Sequence, residues 1–361
     1  PPKNQNQIDH TRAALAMCEN IDWNVGRIID QLKNSGVLEN TIVIYLSDNG
    51  PNGNRWNGLM KGRKGSTDEG GVRSPMIINW PGKIPQGKIV KEIASGIDLL
   101  PTLKDLTGIT SQAKKPLDGI SLEPLIMQEN PIWEDRYIYN YWKGKLSLRN
   151  QHYRLDHQGQ LFDMVNDPNQ TKDIGEKKPQ VLTALNKAKG QWEQEVLVEL
   201  PKKDNRPFYI GHPSLHTTQV PARDGIPSGE IKRSNRYPNC TYFTHWINPE
   251  DTITWEAEVA QDGDFEITVY YSCAEDAIGS LFEVSFGDAS IQGEIKEVHN
   301  PNEYGAAEDR VLRQESYVKD FKPLKIGTLK LKKGKGTLKI KGNEKKGRAL
   351  MDFRLMLLKR I

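Results

Sequence analysis

The spacing of apolar residues changes along this sequence, and that change limits the folds open to it. Between Asp9 and Asn34 apolar residues recur every three or four positions, which predicts an amphipathic helix. Gly36 is a typical stop signal for that helix. From residue 253 onward, apolar residues instead alternate with polar ones, as in strands that bury one face. We therefore expect a region that contains helices first and an all-β domain last.

The first third of the chain combines helices with buried strands. The run TIVIYL at residues 41–46 is β-branched and apolar throughout, which predicts a strand buried on both faces, as parallel strands are. A second apolar stretch covers residues 76–80 and ends at Pro81 and Gly82. A further helix is expected from Asp98, as N-cap, to Leu106. This order predicts an α/β fold for residues 1–130.

Three further segments follow. Residues 131–200 carry short strands with tight turns and then a helix from about Pro179 to Val198, which predicts a small antiparallel sheet plus helix. Residues 201–250 are rich in proline and glycine with little periodicity, which predicts a wrapping linker. Residues 251–361 show evenly spaced alternating strands, which predict a β-sandwich or jelly roll.

Charge and composition exclude several classes of function. The formal net charge is +3, from 50 Lys and Arg against 47 Asp and Glu, which is too balanced to indicate a nucleic-acid partner. Lysines cluster between Lys330 and Lys346; solvated strand faces explain them more simply than a polyanion-binding surface, which stays open. No apolar run approaches the length of a membrane span. The chain starts without a signal peptide, so we expect processing or truncation upstream.

Three widely spaced cysteines indicate neither a zinc site nor a dense disulfide framework. Cys18 lies on the apolar face of the first predicted helix and is expected to be buried there. Cys240 and Cys273 are able to pair only if the fold brings them within reach, which the sequence leaves open.

The sequence Ser47-Asp48-Asn49-Gly50 directly follows the predicted strand at residues 41–46. Ligands of open α/β sheets gather at the carboxyl ends of strands. The Asp48 carboxylate and the Asn49 amide oxygen are hard donors that suit Ca²⁺ or Mg²⁺ better than zinc. From these four residues alone, a plain Asn-Gly turn is the simpler interpretation.

A longer set of motifs shifts the balance toward a functional site. The chain reads TIVIYLSDNG, then RWNGLMKGRKGSTDEGGVRSP and MIINWPGKI, with AMCENIDWNVGRIIDQL before them and GIDLLPTLKDLTGI, LDGISLEPLI and LFDMVNDPNQTKDIGEKKP after them. In order, spacing and flanks this resembles the type I sulfatases of the alkaline phosphatase superfamily. The resemblance covers about residues 8–200. From about residue 206 the chain is more loosely similar to an accessory C-terminal domain of some bacterial arylsulfatase-like proteins.

The resemblance implies a fold and a set of site residues. The fold would be the C-terminal part of an alkaline-phosphatase-like α/β sheet with a small antiparallel subdomain, followed by the β-sandwich. Asp48 and Asn49 would be ligands of an active-site Ca²⁺, and Lys64 would contact the sulfate ester near its bridging oxygen. Trp56 and Asn57 lie between them and are candidates to contact the leaving group, although Trp56 packed under the loop is an equal alternative. Glu69, with the glycines and arginine after it, is expected to shape the loop.

One part of the family pattern is missing from this chain. A sulfatase nucleophile is a formylglycine made from Cys or Ser in a C/S-x-P-x-R motif, and no cysteine or serine of this chain lies in one. None of the seven histidines matches a catalytic histidine of the family. We therefore expect the nucleophile upstream and no turnover by this chain alone.

The function expected from the resemblance is hydrolysis of a sulfate ester, with a sulfated glycan as substrate and a periplasmic or secreted location. Two alternatives stay open. A phosphatase or phosphodiesterase of the same superfamily would use two zinc ions, but an amide oxygen such as that of Asn49 is a poor zinc ligand. A non-catalytic protein would combine a degenerate sulfatase half with a glycan-binding sandwich.

Overall fold

A computed structural model describes residues 5–110, 115–201, 203–309 and 312–361. The chain divides into two compact units, Pro1–Pro201 and Lys202–Ile361, and each is considered by itself. The helices are α1 Gln5–Asn34, α2 Glu69–Val72, α3 Leu99–Thr107, α4 Glu123–Met127 and α5 Pro179–Glu195, with short 3₁₀ helices at Leu38–Asn40, Gly96–Asp98, Gly175–Lys177, Leu197–Glu199, Ala222–Asp224 and Glu275–Ala277. Within the described ranges, no helix is both long and apolar enough to cross a membrane.

Helix α1 has the amphipathic pattern that the sequence predicts, but its apolar face is not buried. None of its described residues is buried, and Leu15, Met17 and Trp23 are each more than half exposed. The expectation that Cys18 is buried is therefore wrong, because its thiol is free and exposed. Helical periodicity identifies which residues share a face, whereas burial of that face depends on a neighbouring element.

The strand predicted at residues 41–46 is β1, Val43–Leu46, and it pairs with β2, Met76–Asn79. The pairing is antiparallel, with Val43 opposite Asn79 and Leu46 opposite Met76. Tyr45 and Leu46 are exposed, so the expectation of a parallel strand buried on both faces is wrong. A continuous apolar run identifies a strand, but its neighbours decide direction and burial. The loop between these two strands carries every predicted site residue.

A buried carboxylate organises the start of α3. Asp98 is fully buried and accepts hydrogen bonds from the main-chain N–H groups of Ser95 (2.7 Å) and Ile120 (3.1 Å). The Arg136 guanidinium completes an ion pair with it, with one contact at 2.8 Å. Because a buried charge is costly unless it is paired, this cluster ties α3 to the segments on either side of α4.

Residues 138–195 form the small antiparallel subdomain that the sequence predicts. Four strands run in the order β3 Ile138–Trp142, β4 Lys145–Arg149, β5 Tyr153–Leu155 and β6 Leu161–Asp163. Helix α5 packs on this sheet through Leu185 and Ala188, which form one buried cluster with Leu148, Leu155 and Leu161. The subdomain therefore has its own core.

The second unit is a β-sandwich of two six-stranded sheets. Its strands are β7 Phe208–Ile210, β8 Thr217–Pro221, β9 Ile226–Pro227, β10 Lys232–Arg233, β11 Phe243–Thr244, β12 Thr252–Val259, β13 Gly263–Ser272, β14 Leu281–Phe286, β15 Ala289–Glu294, β16 Lys322–Leu331, β17 Gly334–Glu344 and β18 Asp352–Arg360. One sheet has the order β10–β11–β18–β13–β16 with β8 also on β18, and the other β15–β14–β17–β12–β7 with β9 also on β12. Phe265, Ile267 and Val269 of β13 alternate with more exposed residues, as predicted.

The segment 201–250 differs from the wrapping linker that we predicted. It carries the five strands from β7 to β11, and they add edges to both sheets of the sandwich. Strands of two to five residues are too short for a period of two to emerge from the sequence, which explains why they were missed.

Cys240 and Cys273 are both free thiols, and burial raises the pKa of Cys273.

Candidate active site

Three main-chain hydrogen bonds fold the loop between β1 and β2 back on itself. Gly50 N–H donates to the Gly71 oxygen (2.9 Å), Gly70 N–H to the Lys61 oxygen (2.8 Å) and Lys64 N–H to the Pro51 oxygen (3.1 Å). The last bond places the main chain of Lys64 beside a residue that lies two positions after Asn49. The loop therefore brings the predicted lysine and the predicted metal pair to the same end of β1.

Gly50 has a role that a simple turn would not give it. A Cβ atom built at this position would lie 1.9 Å from the main-chain oxygen of Gly70. No side chain fits at such a distance, so glycine is required for the two segments of the loop to approach. The Asn-Gly pair after β1 is thus a close crossing of two chain segments, and this disfavours the plain-turn interpretation of SDNG.

Asp48 and Asn49 present two different oxygens at the end of β1. Asp48 is exposed. The Asn49 Oδ1 atom is buried and accepts no hydrogen bond from the part of the chain that the structure describes. A buried polar atom without a partner costs about 1–3 kcal/mol unless a ligand satisfies it. An orphaned amide oxygen next to a carboxylate fits a hard cation such as Ca²⁺.

Two donors from adjacent residues are not a complete metal site. Among the described residues no group of three or more His, Cys, Asp or Glu side chains is arranged to hold a metal ion. Further ligands would have to come from main-chain oxygens, water or other parts of a longer protein. The assignment of Asp48 and Asn49 as ligands stays a prediction.

The two candidates for contact with the leaving group differ in their surroundings. The Trp56 side chain is 79% exposed, so it is not packed beneath the loop. The Asn57 amide N–H groups donate to the main-chain oxygens of Met60 (3.0 Å) and Gly62 (3.3 Å). Asn57 therefore stabilises the loop, while Trp56 offers a free aromatic face. Contact of either residue with a substrate stays a prediction.

Glu69 anchors the loop to the antiparallel subdomain. Its carboxylate accepts hydrogen bonds from Arg149 on β4 (2.6 Å) and Arg154 on β5 (2.8 Å), and its main-chain N–H donates to the Gln170 side chain (2.9 Å). Arg154 also donates to the Thr67 main-chain oxygen (2.8 Å). This confirms that Glu69 shapes the loop. Sequence reasoning missed the two arginines because they lie 80 and 85 residues away from Glu69, with no local pattern that marks them.

The two lysines of the loop have opposite environments. The Lys61 ammonium lies 3.0 Å from the Asp156 carboxylate, 3.7 Å from that of Asp68 and 4.7 Å from the Phe162 ring centroid. Lys61 is thus held by the subdomain. Lys64 is exposed, and no carboxylate of the described residues pairs with it. Of the two, Lys64 is the one whose charge is available to an anionic ligand.

Glu69, Arg149 and Arg154 form a cluster, called here the Glu69 cluster, which predicts that the first unit loses stability as the pH becomes acidic. Burial alone would raise the pKa of Glu69, but the guanidinium groups of Arg154 and Arg149 outweigh it and hold that pKa below the usual 4.5. The ion pairs are therefore fully formed above about pH 4.5, and their contribution is lost as pH falls through the lower folded-state value. We expect Glu69→Gln to destabilise the first unit at neutral pH. The difference in free energy of unfolding between the variant and the wild type should become smaller at acid pH.

Hydrogen exchange over residues 61–74 and 145–163 at several pH values measures this effect. Glu199→Gln is the matched control, because Glu199 is an exposed carboxylate in an exposed ion pair with Lys115. A Glu69→Gln difference that stays constant from pH 7 to acid would contradict the assignment.

Two family models match the first unit. The model described as Sulfatase matches residues 1–109, and the model described as N-sulphoglucosamine sulphohydrolase, C-terminal, matches residues 64–195. The second model begins at Lys64 and continues through the antiparallel subdomain and α5. Together the two matches cover more than half of the chain.

Individual proteins are similar to parts of this chain. Arylsulfatase A of Homo sapiens is 42% identical over 112 residues, which are 30% of this chain and 22% of that protein. N-acetylgalactosamine-6-sulfatase of Rattus norvegicus is 37% identical over 130 residues, 34% of this chain and 24% of that protein. The crystal structure of Ps i-CgsB is 30% identical with a TM-score of 0.43, covering 48% of this chain and 40% of that one.

The matched region spans less than half the length of each of these relatives. The two family models together cover the loop with Asp48, Asn49 and Lys64 and the subdomain that anchors it. On these matches, residues 1–195 of this chain are assigned to the sulfatase family.

Proposed function

We propose that this chain is part of a sulfuric ester hydrolase and supplies one side of its active site. The observation that carries the proposal is the hydrogen bond from Lys64 N–H to the Pro51 oxygen, which joins the main chain of Lys64 to the residue two positions after Asn49. Cleavage of a sulfate ester builds negative charge on the leaving oxygen. A cation and a fixed ammonium aimed at that charge stabilise the transition state more than the ground state.

The cation is proposed to be Ca²⁺, held in part by the Asp48 carboxylate and the Asn49 Oδ1 atom. When bound, it would supply positive charge next to the sulfate oxygens. The burial of Asn49 Oδ1 without a partner among the described residues supports this role, because a ligand satisfies an otherwise costly group. An amide oxygen beside a carboxylate suits calcium and disfavours the two-zinc alternative.

The nucleophile is proposed to be a formylglycine that precedes Pro1 in a longer protein. Family membership and the partial coverage of the relatives support this arrangement. The substrate is proposed to be a sulfated sugar, since one of the similar proteins is named for a sulfated N-acetylgalactosamine. A periplasmic or secreted location is proposed as well.

Comparison of the longer protein with this chain tests the proposal. We expect the longer protein to hydrolyse p-nitrophenyl sulfate or a sulfated monosaccharide and the 361-residue chain to show no turnover. A longer protein that contains C/S-x-P-x-R but cleaves neither aryl nor sugar sulfates would overturn the proposal. Absence of that motif would instead favour a non-catalytic binding protein.

The metal is a separate prediction. We expect elemental analysis of the longer protein to find calcium, and a calcium chelator to abolish turnover that added Ca²⁺ restores. Asp48→Ala should weaken calcium binding by at least about tenfold, because it removes the only charged donor of the pair. Asp105→Ala, another aspartate of the same unit that lies outside the loop, is the control. Two equivalents of zinc per chain would favour a phosphatase or phosphodiesterase.

A further inference from the structure

A cavity of about 490 Å³ opens beside the candidate active site. Its lining runs along the loop from Gly53 to Arg63, so it begins four residues after Asn49 and ends next to Lys64, with Thr11 of α1 on another side. The volume lies in the range of small-ligand pockets, about 300–1,000 Å³. A ligand group bound in this cavity would lie next to the part of the ligand that Lys64 contacts.

The charge of this cavity is unbalanced. Arg55 and Arg63 both line it, and none of its lining residues is acidic. Neither guanidinium forms an ion pair within the described ranges; their polar contacts are neutral, from Arg55 to the Asn52 main-chain oxygen (3.4 Å) and from Arg63 to the Asn54 side chain (3.3 Å).

Other arginines of the same unit behave differently. Arg136, Arg149 and Arg154 are each paired with a buried carboxylate at the positions where they organise the fold. The two cavity arginines have no such structural partner. Their charge is therefore available to a ligand, and a planar guanidinium matches carboxylate or sulfate with two parallel hydrogen bonds.

Two further features of the cavity are a main chain held in place by hydrogen bonds and an aromatic ring in its lining. Asn57 holds the loop through the Met60 and Gly62 oxygens, so the main chain between the two arginines is braced. The exposed Trp56 ring lines the same cavity and offers a flat apolar face, which suits the C–H face of a sugar ring. A ligand with both an anionic group and a sugar ring would satisfy both features.

We propose that this cavity is a specificity subsite that binds a second anionic group, a sulfate or a carboxylate, on the sugar whose sulfate ester lies at Lys64. The inference rests on the proposed function for the position of the scissile sulfate. Because Arg63, which lines the cavity, directly precedes Lys64 in the chain, we place the second group on the same sugar residue as the scissile sulfate. The substrate class is thus a multiply charged sugar sulfate.

Binding to the 361-residue chain tests the subsite independently of turnover. Calorimetry would compare three probes: a methyl hexoside monosulfate, the matching disulfate and the matching uronic acid monosulfate. We expect at least one doubly charged probe to bind about tenfold or more tightly than the monosulfate, as a charge-assisted hydrogen bond predicts. Preference for the disulfate or for the uronate identifies which anion the subsite takes.

Variants then assign the preference to the two arginines. Arg63→Gln and Arg55→Gln should each lower the ratio of the affinity for the doubly charged probe to the affinity for the monosulfate toward one. Arg223→Gln, which changes an exposed arginine of the second unit, should leave this ratio unchanged. Equal affinity of all three probes for the wild-type chain, or an unchanged ratio in both cavity variants, overturns the subsite. Turnover of the longer protein is measured separately, so a failed hydrolase proposal and a failed subsite give different results.

Discussion

Replacing Arg154 with methionine is expected to destabilise the first unit by about 3–5 kcal/mol, the usual cost of breaking a buried ion pair by removing one partner. The Arg154 and Glu69 side chains are 1% and 3% exposed, and their charged atoms lie 2.8 Å apart. The variant would leave Glu69 with Arg149 and the more distant, exposed Arg73 (3.6 Å), and it would also remove the donor to the Thr67 oxygen. Methionine fills a similar volume, so loss of charge pairing dominates over loss of packing.

Urea denaturation measures the free energy of unfolding of each variant. Hydrogen exchange over residues 145–163 then shows whether the loss of stability lies in the first unit. Arg12→Met is the matched control, because the Arg12–Asp9 pair is 3.7 Å long with side chains 74% and 55% exposed. Exposed pairs contribute about 0–1 kcal/mol. If the two variants differ from wild type by similar amounts, the Glu69 cluster does not anchor the loop.

The contrast between Glu69 and the residues around it shows which parts of the site the sequence predicts. The glycines of the loop stand out in the sequence because they permit close approaches of the main chain, such as that of Gly50 to the Gly70 oxygen. The partners of Glu69, which are Arg149, Arg154 and Gln170, do not stand out in the sequence. Arg149 lies on β4, Arg154 on β5 and Gln170 in the segment after β6, and only the folded chain brings them to the loop.

The fold shows the same division. Alternation in β13 predicts which side chains are buried, since Phe265, Ile267 and Val269 meet a facing sheet within the same unit. The equally clear helical period of α1 does not predict burial, because in this structure the face is not covered. Periodicity thus reports the face that a segment offers, while burial and strand direction depend on what packs against it.

The position of Lys64 leads to the second large effect. In the longer protein, we expect Lys64→Ala to lower kcat/KM by about 10²-fold, in the range found when one donor to a developing negative charge is removed. The side chain is exposed and has no carboxylate partner among the described residues, so its loss should leave the unfolding midpoint unchanged. If the ammonium acts mainly on the transition state, kcat and kcat/KM should fall together.

Two companion variants separate this role from a general effect of positive charge. Lys145→Ala removes an exposed lysine at the start of β4 in the same unit and should leave the kinetics unchanged. Lys61→Met should act differently, because Lys61 is paired with Asp156 and Asp68, and its loss should lower stability. Normal kcat/KM in Lys64→Ala would remove Lys64 from the catalytic set. It would also leave Asp48 and Asn49 as a cation site without its proposed partner, because the main-chain contact at Pro51 would then serve only to fold the loop.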